Sequence, residues 1–112
     1  MPNEIGEMIM GKKILQINMK CEDPKANFAE AFLPAAQSIA DVKGLLWKVW
    51  FINKEEKTAG GIYLFEDGAS VKAYLEGPIV ATVMKSPGLS DIEAKVSGVL
   101  KEHSKITRGP MD

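Results

Sequence analysis

The chain has 112 residues, 14 of them basic and 15 acidic, so its formal net charge of -1 provides no field to gather nucleic acid or anionic lipid. Such a length suits one domain around one core, expected over residues 12–112, after an extension of residues 1–11. Cys21 is the single cysteine, which excludes an intrachain disulfide and a clustered thiolate metal site and fits a reducing cytoplasm.

Residues 1–11 scatter apolar side chains around Glu4 and Glu7, without the basic start and continuous apolar run of a secretory signal, so a flexible extension is expected. Lys13–Cys21 alternates, with Leu15, Ile17, Met19 and Cys21 on one face and Ile14, Gln16, Asn18 and Lys20 on the other. That is a strand with one apolar face. Asp23 and Pro24 supply a helix start, and Phe28, Phe32, Ala35 and Ile39 follow at helical spacing. Pro34 is expected to interrupt and bend this helix, and Gly44 closes it. Residues 45–52 read LLWKVWFI, in which Lys48 is the one polar residue. A strand of this kind is expected to be buried on both faces, so a partner subunit or the chain's own helices must cover its second face.

A charged loop at residues 53–57 leads to AGGIYLFE at residues 59–66, a second strand that completes a hairpin. Gly60 and Gly61 mark either a bulge or a close approach of backbone to something else. Asp67 caps the next helix, whose buried stripe is Val71, Tyr74 and Leu75. Gly77 and Pro78 break it, and residues 79–85 resume as a second short helical piece, ended by Pro87 and Gly88. Residues 91–100 alternate again, Ile92, Ala94 and Val96 opposite Glu93, Lys95 and Ser97, which makes a fourth strand. The polar residues 101–112 are expected to be a loose arm, free to pack on a neighbour. No stretch offers the ~18 uninterrupted apolar residues of a membrane-spanning helix, so no membrane partner is expected.

The order is β-α-β-β-α-β, the ferredoxin-like arrangement of the α+β class, in which a four-stranded antiparallel sheet carries both helices on one face. Its other face is bare. Apolar residues exposed there would exceed the patch that monomers normally tolerate, so a homodimer formed by pairing two sheet faces is the expected assembly.

The run Gly44-Leu45-Leu46-Trp47-Lys48-Val49-Trp50, then Ala59-Gly60-Gly61-Ile62-Tyr63-Leu64-Phe65 and Ala73-Tyr74-Leu75-Glu76, resembles the signature of the YdhR-type monooxygenases. The likeness extends in element order from Leu15 to Leu100 and is densest from Gly44 to Glu76; the residues before Lys12 depart from it. The resemblance implies a dimeric α/β barrel, in the superfamily of small antibiotic-biosynthesis monooxygenases and haem-degrading enzymes. Relatives of that kind oxidise polycyclic phenols or anthrones without flavin or metal, or bind haem, in a pocket within each subunit.

Oxygenation without a cofactor needs an apolar pocket, a group that deprotonates or orients a phenol, and donors for the resulting oxyanion. Trp47, Trp50 and Tyr63 suit the wall of such a pocket, since each joins a large apolar surface to one donor. Alternation places Trp47 with Leu45, Val49 and Phe51 but Trp50 with Lys48, so one tryptophan belongs to core or interface unless a bulge intervenes. Asn18 offers an amide donor, with hydrogen bonding across a subunit interface as the plainer role, and Tyr74 brings a hydroxyl from the second helix. His103, the one histidine, joins Trp50 as a catalytic candidate, although its polar surroundings suit a solvated surface residue. GxGxxG, P-loop and HExxH spacings are all missing, so nucleotide and zinc-hydrolase chemistry lack their parts.

These residues lead to the expectation of a cofactor-independent monooxygenase acting on an aromatic or quinol-type molecule. The alternative is a non-catalytic protein that binds a hydrophobic small molecule or haem in the same pocket.

Overall fold

A computed structural model of the chain describes residues 11–21, 28–86 and 88–111. The expected extension lies outside these residues except for Gly11, as does the helix start expected at Asp23 and Pro24. The periodicities of the sequence are realised as β1 (Lys13–Cys21), α1 (Phe28–Ala40), β2 (Leu45–Asn53), β3 (Thr58–Phe65), α2 (Gly68–Leu75), α3 (Pro78–Met84), β4 (Leu89–Gly98) and α4 (Lys101–Ile106). The four strands form one antiparallel sheet in the order β2-β3-β1-β4. This is the ferredoxin-like order, with the second helix delivered in two pieces.

Pro34 does not divide α1, which runs through it. Proline has no N–H to offer the carbonyl of Glu30, and Glu30 is exposed in the first turn, where that loss costs least. Gly44 follows at a φ of 86°, and a Cβ there would collide with the side chain of Ser70, so glycine is required at this turn. The Asp67 side chain accepts from the backbone N–H of Ser70 at 2.8 Å and so caps α2 as expected.

One face of the sheet supplies Leu15, Ile17 and Met19 from β1 and Ala59, Tyr63 and Phe65 from β3. Against it pack Ile39 of α1, Val71 and Tyr74 of α2, and Val80 of α3. Burial of large apolar side chains such as Leu15 and Phe65, each worth roughly 1.5–3 kcal/mol, holds the helices to this face.

Two expectations are narrowed and one is corrected. β2 is an edge strand, and within one copy of the chain Leu46, Val49 and Ile52 remain 38%, 56% and 47% exposed, so of the two covers expected for it the chain's own described helices supply only part. The strand order decides this, because an edge strand has one neighbour and α1 covers only part of one face. Of the two readings of Gly60 and Gly61 the close approach holds, since a Cβ on Gly60 would collide with the Ile17 carbonyl and one on Gly61 with Lys48, while β2 bulges against β3 at Leu46, where the pairing passes from Leu45↔Phe65 to Trp47↔Leu64. The polar tail is no loose arm: α4 turns it back, and Met111 is buried with Val99 against Leu64, with Ile14 and Trp47 beside them, on the sheet face away from α1 to α3. The indole Nε1–H of Trp47 donates to the Pro110 carbonyl at 2.6 Å and fastens that return.

Candidate active site

After the bulge at Leu46, β2 alternates regularly, so Lys48 and Trp50 face the helices while Trp47, Val49 and Phe51 face away. Register sets Lys48 opposite Tyr63 and Trp50 opposite Gly61. A Cβ on Gly61 would collide with Cε of Lys48, so the missing side chain leaves the groove in which the lysine stem lies. Its Nζ sits 3.2 Å from the centroid of the Trp50 ring and 4.4 Å from that of Tyr63.

Burial pushes the Lys48 amine down from 10.5 to about 7, because the charged form loses hydration. The two ring faces attract an ammonium and so oppose that shift, but burial sets its direction. Among the described residues no carboxylate forms a salt bridge with Lys48. Near neutral pH a large share of this amine is therefore uncharged, able to accept a proton or to attack an electrophile.

Across the space from α2, the Tyr74 hydroxyl meets the Tyr63 hydroxyl at 2.9 Å, both buried. Burial raises the phenol of Tyr63, as does the neighbouring Tyr74, and burial likewise raises Tyr74. Both stay protonated at neutral pH. Whichever hydroxyl accepts in the pair keeps its own O–H free to donate to a ligand oxygen.

Lys48, Trp50, Tyr63 and Tyr74 line a cavity of ≈ 30 Å³ whose remaining walls are mostly aliphatic, Ile17, Met19 and Ile39 among them. That is room for one or two water-sized molecules. Phe32 and Val83 are shared with a larger chamber of ≈ 440 Å³ between α1, α3 and the start of β4, bordered by Cys21, Ser38 and Thr82. A chamber of this size is ordinary for a drug-sized ligand.

Of the residues singled out from the sequence, Trp50, Tyr63 and Tyr74 meet at the cavity. Trp47 does not, since the bulge at Leu46 precedes both tryptophans and leaves them on opposite faces. Asn18 lies on the face away from α1 to α3, paired in register with Gly60 and Glu93. His103 is exposed on α4 and lines neither space. Lys48 was not among the candidates. Its signal was present, a single cation in an apolar run and on the face of Trp50. Among the described residues no three His, Cys, Asp or Glu side chains gather as a metal site would need, and no helix is long and apolar enough to cross a membrane.

A family model described as "Putative mono-oxygenase ydhR" matches residues 14–110. The chain belongs to the ydhR family. The ydhR match takes in every residue of the cavity wall. Among solved structures the chain is similar to NE2512, a protein of unknown function from Nitrosomonas europaea, at 23% identity and a TM-score of 0.60, over 81% of this chain and 91% of that one. It is also similar to SO0527 from Shewanella oneidensis, at 11% identity and a TM-score of 0.55, over 79% and 91%. These likenesses show a shared fold. No curated protein matches the chain.

Proposed function

We propose that this ydhR-family protein is a cofactor-independent monooxygenase for an aromatic, quinol-type small molecule, with Lys48 as its base. The observation that carries this reading is an amine of pKa about 7 enclosed by aromatic rings beside a protonated tyrosine pair. Uncharged Lys48 takes a proton from the acidic C–H or O–H of the substrate, and the free tyrosine O–H donates to the oxyanion that forms. The electron-rich anion reduces dioxygen and bonds to it, giving a peroxide on carbon. Loss of water from that peroxide leaves a carbonyl, so a CH₂ group and O₂ become C=O and H₂O. The cavity beside Lys48 suits dioxygen, and the larger chamber suits the ring system.

Oxygen uptake on a panel of anthrones and hydroquinones tests the proposal. Wild-type protein should consume oxygen and the Lys48→Met variant should do so about 10²-fold more slowly or worse. No uptake across the panel by folded wild-type protein refutes it. The second reading, a binding protein without turnover, draws on the same chamber; there ligands would quench tryptophan fluorescence with no oxygen consumed. Haem is the weaker ligand for that reading, since His103 stands away from both spaces.

The proposal also takes residues 12–112 as one cytoplasmic domain that pairs with a second copy through the face bearing Val49, Phe51 and Ile62. The exposure of Val49 on that face supports pairing.

A further inference from the structure

The groove over Gly61 delivers the Lys48 amine to the wall of an apolar cavity, with no carboxylate paired to it among the described residues. A base could sit at the cavity rim and act through water. This amine lies at the cavity wall, flanked by the rings of Trp50 and Tyr63, so a carbonyl seated in the cavity comes close to it.

We infer that Lys48 is also a nucleophile that captures aromatic aldehydes as an imine. The nitrogen lone pair attacks the carbonyl carbon, and the carbonyl oxygen takes up protons as the carbon–nitrogen bond forms. The oxygen then leaves as water, carrying two protons, and both amine hydrogens are spent in the process. The Tyr63–Tyr74 hydroxyl pair on the same cavity wall carries a proton suited to the departing oxygen. A lysine partly desolvated beside an apolar cavity is a known setting for this chemistry, since desolvation favours the uncharged amine and shields the imine from hydrolysis. The aldehyde class follows from the space. The inner cavity admits a carbonyl end and little more, and an aromatic body would have to displace Phe32 or Val83, the side chains shared with the chamber, whose polar groups among the described residues are a thiol and a few hydroxyls. Among the described residues that line it, none carries a charge to pair with a charged ligand such as a keto acid.

The capture needs no oxygen and so stands apart from the oxygenase reading. Anaerobic protein would be incubated at pH 7 with benzaldehyde and cyanoborohydride, which reduces imines to stable secondary amines, and the modified residues located by peptide mass mapping. An ordinary lysine is uncharged in fewer than about one molecule in 10³ at that pH, whereas an amine of pKa about 7 is uncharged in about half. Labelling at Lys48 should therefore outrun that at surface lysines such as Lys12, Lys54 and Lys101 by about a hundredfold, the roughly 500-fold or larger advantage in uncharged amine being offset in part by the lower nucleophilicity of a weaker base. It should rise with pH to a plateau above about 7 and vanish in Lys48→Arg, which keeps a cation but no nucleophile. Labelling spread evenly over surface lysines, or Lys48 spared, overturns the inference. Because wild-type mapping alone separates these outcomes, a variant that fails to fold does not decide the matter. If trapping fails while Lys48-dependent oxygen uptake persists, the base survives and the nucleophile does not. If trapping succeeds without any oxygen uptake, the reverse holds.

Discussion

Lys48 is the residue on which chemistry and stability pull in opposite directions. Folding takes its amine from an ordinary lysine value to about 7, so between about pH 7 and 10.5 the unfolded chain binds more protons than the folded one. Stability then rises with pH across that window, and below it the whole cost of burying the cation is present. Lys48→Met removes the cost and fills the groove with a flexible apolar stem, so it should stabilise the protein at pH 6 by about 1–2 kcal/mol, after allowance for partial solvent screening. The gain should fade toward pH 10.5, as urea unfolding at several pH values would register. If neutral Lys48 is the base, wild-type kcat/KM should climb through pH 7 and level off. The tyrosine pair behaves differently. Tyr63→Phe leaves the buried Tyr74 hydroxyl without its partner and should cost about 1–2 kcal/mol, whereas removing both hydroxyls should cost less than the two single losses combined. A double-mutant cycle by chemical denaturation reads that coupling.

At the scale of elements, the return of the chain end along the sheet is the feature that sequence composition hides. Residues 107–112 contain no apolar pattern, yet Met111 is buried and Trp47 holds the Pro110 carbonyl. Trp47→Phe keeps the ring and deletes the donor, so it should free this segment at a cost of about 1 kcal/mol. Limited proteolysis should then cut after Arg108 sooner than in wild type, and near-neutral protection of that bond would show the clasp to be unimportant. Period-two alternation and glycine–proline breaks are local signals, and from them the order of strands and helices was legible along the whole chain. What decides the edge position of β2 is the pairing of strands far apart in sequence, which no local pattern carries. The same holds for Lys48: its face could be read beside Trp50, but its lowered pKa depends on α1 and β3 closing over it. The bulge at Leu46 leaves no local signal either, since the run LLWKVWFI is almost wholly apolar on both registers.

At the scale of the molecule, the sheet face away from α1 to α3 is only partly covered. The tail covers the Leu64 and Ile14 region, while on β2 Val49 stays 56% exposed beside Phe51. The cross-strand neighbour of Val49 is Ile62, also on that face. Edge strands with apolar, unpaired faces are a liability in solution unless something seats on them. The proposed pairing with a second copy of the same face would do so with twofold economy, because one patch serves both partners. Val49→Lys would place a cation within the proposed contact. Inside the monomer it disturbs little, since the position is mostly solvent-exposed already. The expected result is a shift from dimer to monomer in sedimentation equilibrium, with far-ultraviolet circular dichroism unchanged. The cavity beside Lys48 is built within one subunit, on the opposite side of the sheet, so borohydride trapping at Lys48 should survive in that monomer. A variant that dissociates and also loses the trapping would mean that pairing the sheets holds β2 in place over the cavity, and that the edge strand depends on its partner for more than solubility.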